Sequence, residues 1–165
     1  MLTGCLNRRA LFERGAAVVA DAATWGEGLA VVALDIDHVK AVNDRQGHAA
    51  GDRVLREVGL RCREGLRPTD LIGRIGGEAF VVLLRCTSLP TAVEIAERLR
   101  AALAGTPIGG DGLPPISVSV SFGVAVVEPG EALDHALERA DQALYRAEQE
   151  GRDRVRAAVD TAAAA

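Results

Sequence analysis

Two short, unbroken apolar runs constrain the fold of this 165-residue chain more than any other feature. Residues 29–34 (LAVVAL) and 80–84 (FVVLL) carry no polar side chain. This pattern is typical of strands buried on both faces, whereas a strand with one wet face alternates apolar and polar residues. The runs therefore predict the central strands of a sheet, within one domain that is long enough to bury a core.

The segments around these runs predict the remaining elements. Apolar spacing and capping residues predict helices after Asn7, over residues 37–42 and 50–66, from Ser88 with Pro90 in its first turn, and over residues 132–150 with Gly151 as C-cap. Further strands are predicted from residue 71, over residues 116–122 and near residues 154–156. Residues 116–122 (ISVSVSF) alternate, which indicates a strand with one wet face, and the Gly/Pro-rich residues 105–115 predict a loop.

The order of these elements predicts the fold class. It reads helix, strand, helix, helix, strand, strand, helix, strand, helix, strand. Helices on one face of a mainly antiparallel sheet would give an α+β fold. We assign residues 1–156 to this single domain and interpret the Ala-rich tail, residues 157–165, as disordered.

The composition argues against several classes of function. A net charge of −4 and a pI of 5.4 argue against broad binding to nucleic acid or to an anionic membrane. Aromatic residues make up 3% of the chain, which is too few for a base-stacking platform. No apolar run approaches the length of a membrane span. Cys5, Cys62 and Cys86 are odd in number and contain no close pair, so they predict reduced thiols and a cytoplasmic location.

Carboxylates stand next to both apolar runs. Asp35 and Asp37 follow the first run, and Glu78 precedes the second, directly after Gly76 and Gly77. If the two strands are neighbours, Asp35 and Glu78 could share one Mg²⁺, which prefers carboxylate oxygens. A plain turn would need the glycines but not the acid, and either aspartate could instead cap the following helix. We expect Asp37 to be that cap, and Asp35 not to be.

Eight short motifs occur in an order and spacing that point to one family. They are residues 2–9 (LTGCLNRR), 35–40 (DIDHVK), 43–44 (ND), 47–48 (GH), 51–52 (GD), 74–80 (RIGGEAF), 140–145 (ADQALY) and 151–155 (GRDRV). This ordered set resembles the GGDEF family of diguanylate cyclases, from residue 2 to about residue 156. The resemblance implies the ferredoxin-like palm of nucleotidyl cyclases, a mainly antiparallel sheet flanked by helices.

The resemblance also implies a reaction. Family members condense two GTP molecules into cyclic di-GMP, a bacterial second messenger, and release two pyrophosphates. Each of two facing domains would hold one GTP, which implies a homodimer. Asp35, Glu78 and the main-chain carbonyl of Ile36 would bind Mg²⁺ or Mn²⁺. Glu78 would also accept the proton of the attacking hydroxyl, and Lys40 would stabilise charge on the phosphates, although an exposed helix lysine is the alternative for Lys40.

Other matched positions would hold the nucleotide. Asn43 and Asp52 would bind the base, because a carboxylate can accept from both N1–H and N2–H₂ of guanine, an edge that adenine lacks. The alternatives are that Asn43 lies in a turn and that Asp52 caps a helix. The resemblance also places near the nucleotide, its phosphates or the partner subunit a set of residues that could otherwise be ordinary turn, packing or surface positions: His48, Arg74, Gly76, Gly77 and Arg152.

Arg67 and Asp70 form an Arg-x-x-Asp pattern at the family's distance before the glycine turn. By resemblance this is an inhibitory site, where product binds away from the active site. Arginine can pair bidentately with guanine or phosphate, and aspartate can accept from guanine. Taken alone the pattern carries little weight, because an arginine at a helix end also complements the helix dipole.

Two positions depart from the family pattern. The turn carries Ala79 where the family normally has glutamate, and Glu148 stands where relatives usually have a lysine that contacts the terminal phosphates. Alanine cannot bind metal, and a carboxylate would repel a triphosphate. Three hypotheses follow: a working, slower diguanylate cyclase; a non-catalytic receptor for GTP or cyclic di-GMP that regulates a partner; and a dimerisation scaffold. A scaffold would not need the site residues that this chain retains: Asp35, Lys40, Asn43, Asp52 and Glu78.

Overall fold

The structure is a computed structural model that describes residues 3–110 and 112–159. Its helices are α1 (Arg8–Trp25), α2 (Val39–Gln46), α3 (His48–Glu64), α4 (Leu89–Gly105) and α5 (Leu133–Gln149). Its strands are β1 (Leu6–Asn7), β2 (Leu29–Ile36), β3 (Leu71–Gly76), β4 (Ala79–Arg85), β5 (Ile108–Gly110), β6 (Leu113–Ile116), β7 (Val120–Val126) and β8 (Val155–Ala157). Both apolar runs form strands, as predicted, and each predicted helix is present with small shifts of its ends.

Six of these strands form one sheet in the order β1-β3-β4-β2-β7-β8. β2 lies in the middle and pairs antiparallel with both β4 and β7, and β3 pairs antiparallel with β4. Parallel pairs occur only between the two outermost strands at each edge, β1 with β3 and β7 with β8, within the described residues. The predicted α+β fold with a mainly antiparallel sheet is therefore confirmed.

Helices cover both faces of the sheet, so the prediction that they share one face is wrong. Val32 and Leu34 of β2 pack in a core with α3 and α4, whereas Val31 and Ala33 pack in a second core with α1 and α5. Successive strand residues point to opposite faces. An apolar run without alternation therefore needs a cover on each side, and the helices supply it.

The helix starts agree with the predicted caps at two positions and differ at one. The Asn7 side chain accepts from the N–H of Ala10 at 2.8 Å, and Ser88 Oγ accepts from the N–H of Thr91 at 3.4 Å. Asp37 does not cap α2. His38 occupies that position with φ 59° and makes no side-chain capping bond. The Asp37 carboxylate instead accepts from Ser119 and Ser121. At the end of α5 the C-cap is Glu150 rather than Gly151.

The segment after α4 contains more structure than predicted. Residues 105–115 were expected to be a loop, but β5 and β6 form a small antiparallel hairpin there, and residue 111 lies outside the described residues. The strand predicted over residues 116–122 is divided: β6 ends at Ile116, and β7 begins at Val120. β7 has no wet face, because it lies between β2 and β8 and is covered by helices on both sides.

Helix α5 approaches β7 unusually closely at Gly123. A Cβ atom at this position would lie 2.0 Å from the main-chain oxygen of Ala140 and 2.4 Å from the nitrogen of Leu144. Only glycine permits this approach. It holds the middle of α5 against β7, and the C-terminal end of α5, which carries Glu148 and leads to Arg152, lies near Asp35.

The remaining predictions concern cysteines, the tail and membranes. All three cysteines are free; Cys5 and Cys62 are buried, and Cys86 is exposed. Of the predicted tail, Ala157 ends β8 and the N–H of Ala158 donates to the carbonyl of Val124 at 2.7 Å, while residues 160–165 lie outside the described residues. Within the described ranges, no helix has both the length and the apolar character that crossing a membrane requires.

Candidate active site

The C-terminal end of β2 and the turn between β3 and β4 meet where these inner strands leave the sheet. We call this end of the strands, with Asp35 and Glu78, the acidic sheet edge. Asp35 lies opposite Ala79 of β4 on one side and Ser121 of β7 on the other. The main-chain N–H of Ile36 donates to the main-chain oxygen of Glu78 at 3.2 Å. The two acidic motifs are therefore neighbours, which is the condition on which a metal site shared by Asp35 and Glu78 depends.

The glycines of the turn leave space beside Glu78. Gly76 and Gly77 are exposed, neither has a positive φ, and a Cβ at either position would have no neighbour within 4 Å. The Arg74 Nε closes the turn by donating to the carbonyl of Gly77 at 2.9 Å. Glycine is thus required here neither by backbone angles nor by protein packing, and the space beside Glu78 could admit a ligand.

Negative charge is concentrated around Asp35. The pKa of Asp35 is raised to about 7, chiefly by burial and then by the charges of Glu148, Glu78 and Asp37, while Arg152 lowers it. Burial also raises the pKa of Glu148, which Arg152 again opposes. The site thus gathers four carboxyl groups and one guanidinium, and a bound cation would offset the excess negative charge.

The donor set fits a hard divalent cation that is completed by its substrate. Among residues 3–110 and 112–159, no three Asp, Glu, His or Cys side chains form a ready-made metal cage. Mg²⁺ commonly takes one or two carboxylates from the protein and its other ligands from water and substrate phosphates. The carboxylates of Asp35 and Glu78, with the Ile36 carbonyl, match that requirement.

Helices α2 and α3 carry the residues predicted to bind the phosphates and the base. Lys40 is exposed in the first turn of α2, and its side chain makes no hydrogen bond or ion pair with the described residues. His48 begins α3 and is exposed. Asn43 lies inside α2 and Asp52 inside α3, so the alternatives of a turn for Asn43 and a helix cap for Asp52 are wrong.

Asn43 has an unsatisfied acceptor. Its Oδ1 is buried and has no hydrogen-bond partner. The side chain lies against Gly51, where a Cβ would approach Oδ1 to 1.9 Å, so glycine is needed to make room for it. A buried polar atom without a partner is costly unless a ligand or water supplies one.

Arg152 is presented by a loop that joins α5 to β8. Its side chain is exposed and makes no hydrogen bond or ion pair with the described residues. Asp37 holds this loop, because its carboxylate accepts from the N–H of Asp153 at 3.1 Å. The same carboxylate also accepts from Ser119 and Ser121. Sequence reasoning missed this role of Asp37, and the serines that alternate at positions 117, 119 and 121 were the only local sign of polar partners.

The predicted inhibitory residues contact each other away from this edge. Arg67 Nη2 lies 3.0 Å from Asp70 Oδ1, and Asp70 also accepts from the N–H of Arg85 at 3.3 Å. The Asp70 side chain is 2% exposed, whereas that of Arg67 is 50% exposed. Both residues line a cleft of about 360 Å³ that also contains Arg14 and Arg63. The pair therefore stands at a basic cleft, with Arg67 facing solvent.

Known proteins similar to this chain agree on one family. The family described as "Diguanylate cyclase, GGDEF domain" matches residues 1–154. Diguanylate cyclase DgcP of Pseudomonas aeruginosa is 48% identical over 157 residues, which cover 95% of this chain and 23% of DgcP. The chain spans less than half the length of the curated relatives that it matches, from 23% of DgcP to 44% of YhcK of Bacillus subtilis.

Solved structures agree as well. The GGDEF domain of DgcB from Caulobacter crescentus, in complex with c-di-GMP, superposes with a TM-score of 0.92 at 31% identity, covering 97% of this chain and 92% of that one. Diguanylate cyclase SiaD, in complex with its activator SiaC from Pseudomonas aeruginosa, gives a TM-score of 0.90 at 39% identity, covering 95% of this chain and 60% of that one. With its family match, its fold and its acidic sheet edge, the chain belongs to the GGDEF domain family of diguanylate cyclases.

Proposed function

We propose that this chain is a metal-dependent diguanylate cyclase that condenses two GTP molecules into cyclic di-GMP and two pyrophosphates in the cytoplasm. The observation that carries the proposal is the meeting of Asp35 and Glu78 at one sheet edge, with the Ile36 amide hydrogen-bonded to the Glu78 carbonyl. A scaffold would gain nothing from this concentration of carboxylates, because it raises the pKa of Asp35 and leaves charge unbalanced.

Each retained residue has a defined task in this reaction. The metal, Mg²⁺ or Mn²⁺, would be held by Asp35, Glu78 and the Ile36 carbonyl. It would neutralise the charge that develops on the phosphates. Glu78 accepts the proton of the ribose 3′-hydroxyl as that hydroxyl attacks the α-phosphorus of the other GTP. Lys40 stabilises phosphate charge in the transition state. The open turn at Gly76 and Gly77 lets the phosphates approach the backbone.

The base and the terminal phosphates are held at opposite ends of the site. Asn43 and Asp52 bind guanine, and this is supported by Gly51, whose missing side chain leaves room for that of Asn43 against α3. His48, at the start of α3, lies beside the nucleotide. Arg152 binds the phosphates, and Arg74 contacts either phosphate or the partner subunit. The selectivity for GTP over ATP then follows from the hydrogen-bonding edge of guanine.

The reaction requires two domains, since each holds one GTP. We therefore propose a homodimer whose two sites face each other, with product feedback at Arg67 and Asp70. The exposed guanidinium of Arg67 and the neighbouring Arg14 and Arg63 support an anionic ligand at that cleft. Partners are thus GTP, cyclic di-GMP and a second copy of the chain; nucleic acid and direct membrane contact are not among them.

A second candidate is a non-catalytic receptor for GTP or cyclic di-GMP. Ala79 and Glu148 favour it: the first removes a carboxylate from the face that Asp35 occupies, and the second adds one at the end of α5. In a receptor, Asn43, Asp52 and the Arg67 cleft would still bind ligand, while turnover would be absent.

The decisive experiment incubates concentrated protein with GTP and Mg²⁺ or Mn²⁺ and detects cyclic di-GMP by mass spectrometry. Glu78→Ala is the inactive control, and Glu13→Ala, an exposed acid on α1, is a matched control that should remain active. Product from the wild type and from Glu13→Ala, but not from Glu78→Ala, is the expected result. No product at any protein concentration, together with calorimetric binding of GTP or cyclic di-GMP, would favour the receptor.

A further inference from the structure

Asp37 is a buried carboxylate that joins three separate segments. Its side chain accepts from Ser119 Oγ at 2.7 Å, from Ser121 Oγ at 2.8 Å and from the main-chain N–H of Asp153 at 3.1 Å, and the residue is 6% exposed. Its own N–H donates to the carbonyl of Ser119 at 2.9 Å. A carboxylate this deeply buried requires several donors, and here they come from β7, the segment before it and the loop after α5.

The loop that Asp37 contacts has an unfavourable backbone. Three consecutive residues have positive φ: Gly151 at 122°, Arg152 at 65° and Asp153 at 46°. Glycine tolerates this region, but arginine and aspartate adopt it only where surrounding contacts hold them. The shape of the loop is therefore imposed by its neighbours rather than by its own sequence.

Several hydrogen bonds impose that shape, including the one that Arg154 Nε donates to the carbonyl of Arg152 at 2.9 Å, and two of them act on Asp153. Its N–H is held by Asp37, and its carboxylate is held by Arg100 of α4, with Arg100 Nη1 2.8 Å from Asp153 Oδ1. On either side, the N–H of Arg152 donates to the carbonyl of Ala147, and the N–H of Phe122 donates to the carbonyl of Arg154, both at 2.9 Å. Asp153 is thus fixed at its backbone and at its side chain.

Arg152 depends on this backbone for its position. Its side chain makes no hydrogen bond or ion pair with the described residues, so no side-chain contact orients it. Its charge nevertheless acts on Asp35 and Glu148, which places the guanidinium at the acidic sheet edge. Asp37 lies two residues after Asp35 on the chain, so one short segment carries the metal-site carboxylate and the anchor of the Arg152 loop.

We infer that Asp37 is a positioning residue for nucleotide binding: through Asp153 it holds Arg152 at a fixed place relative to Asp35, so that the phosphates of a nucleotide meet the two groups already arranged. The inference rests on the proposed function, because it takes Arg152 to be a phosphate ligand. It adds a role for Asp37 and for Arg100, to which the proposed function assigns no contact with the nucleotide. Preformed geometry of this kind lowers the entropic cost of binding.

The test is a double-mutant cycle between Asp37 and Arg152, measured by calorimetric titration with a non-hydrolysable GTP analogue and Mg²⁺. Arg152→Ala is expected to weaken binding about tenfold, as the loss of a charge-assisted hydrogen bond does. Asp37→Ala should weaken it by a similar factor, and the double variant should bind no more weakly than Arg152→Ala alone. Asp37→Asn should recover most of the affinity, because its amide oxygen can accept from Ser119 and Asp153 while its NH₂ donates to Ser121.

Arg100→Ala is the second route to the same loop. Arg100 belongs to α4 and bonds Asp153 from the side-chain end, so this variant tests the loop even if Asp37→Ala fails to fold. Arg100→Ala should weaken binding in the wild type but not in Arg152→Ala. Either of two results would overturn the inference: unchanged affinity in Asp37→Ala and Arg100→Ala when Arg152→Ala binds weakly, or losses that add fully to that of Arg152→Ala. The binding measurement does not require turnover. If the chain binds nucleotide but forms no product, the proposed cyclase activity is refuted, and the double-mutant cycle still decides the role of Asp37.

Discussion

Asp35 and Ala79 stand directly opposite each other in the antiparallel pair of β2 and β4. Opposed residues of such a pair project to the same face, with Cβ atoms about 5 Å apart. Position 79, where the family pattern has glutamate, therefore lies beside the proposed metal ligand, and alanine leaves that place without a carboxylate. Glu148 adds a carboxylate to the same neighbourhood from α5.

From this relationship we predict that Ala79→Glu combined with Glu148→Lys raises turnover by about tenfold, equivalent to about 1.4 kcal/mol of barrier. The first change supplies an oxygen ligand beside Asp35, and the second replaces a repulsive charge near the phosphates with an attractive one. The rate of cyclic di-GMP formation at fixed protein concentration measures the effect. Ala79→Gln is the matched control, since it has the size of glutamate without the charge. An unchanged rate in the double variant would contradict the roles assigned to both positions.

The second prediction concerns pH and metal binding at Asp35. Its pKa is raised to about 7 in the folded protein, against about 3.9 for an unperturbed aspartate. The folded state thus holds this proton more tightly than the unfolded state, and the stability that Asp35 contributes is present at low pH and lost as the pH rises from about 4 through 7. A divalent cation bound by Asp35 would take the place of this proton.

Mg²⁺ should therefore raise the melting temperature more at pH 8 than at pH 6, because at pH 6 it must displace a proton from Asp35. Thermal unfolding with and without Mg²⁺ at the two pH values measures this difference. In Asp35→Asn the difference between the two pH values should disappear. Equal stabilisation of the wild type at both pH values would mean that Asp35 does not bind the ion.

The sequence allowed the central part of this structure to be predicted, because the information there is local. Two unbroken apolar runs identify the inner strands, and the turn and the acids beside it follow from adjacent residues. The same runs also imply helices on both faces, since neighbouring residues such as Val31 and Val32 point to opposite faces and both are buried. The prediction that helices cover one face is inconsistent with this pattern.

The features that could not be predicted depend on residues far apart in the chain. Aspartate is a residue type that often caps helices, but the partners of Asp37, Ser119 and Asp153, lie 82 and 116 residues away in the sequence. Local propensity cannot weigh such contacts against a cap. Likewise, the hairpin of β5 and β6 lies in a Gly/Pro-rich segment whose local signal is that of a loop, and it is the pairing of Ile108 with Ile116, both buried, that gives it structure.

The third prediction is that Gly123→Ala destabilises the protein by about 3 kcal/mol or more. The new methyl group would collide with the Ala140 carbonyl and the Leu144 nitrogen, which are backbone atoms and cannot rotate away as a side chain would. Overpacking of a core usually costs about 1–3 kcal/mol, and contact with backbone lies at the upper end. Urea unfolding measures the loss of stability.

Gly105→Ala is the matched control. Gly105 lies at the end of α4, and a Cβ there would have no atom within 4 Å, so stability should be unchanged or slightly higher. Equal stability of the two variants would mean that α5 does not pack this closely on β7.

The fourth prediction concerns feedback at Arg67. Its guanidinium is paired with Asp70 and donates to Thr87 Oγ1 at 3.1 Å, yet half of the side chain faces solvent. A guanine or phosphate group of cyclic di-GMP can replace these partners with a bidentate contact that alanine and lysine cannot make. Arg67→Ala and Arg67→Lys should both raise the concentration of cyclic di-GMP needed for half inhibition by about tenfold or more.

The control is Arg9→Ala, which should be inhibited like the wild type, because the Arg9 side chain is 88% exposed on α1. Inhibition of Arg67→Ala at the wild-type concentration would place the feedback site elsewhere. Asp70 is the less suitable residue to change, because its carboxylate also accepts from the Arg85 N–H and its loss would leave that group without its partner.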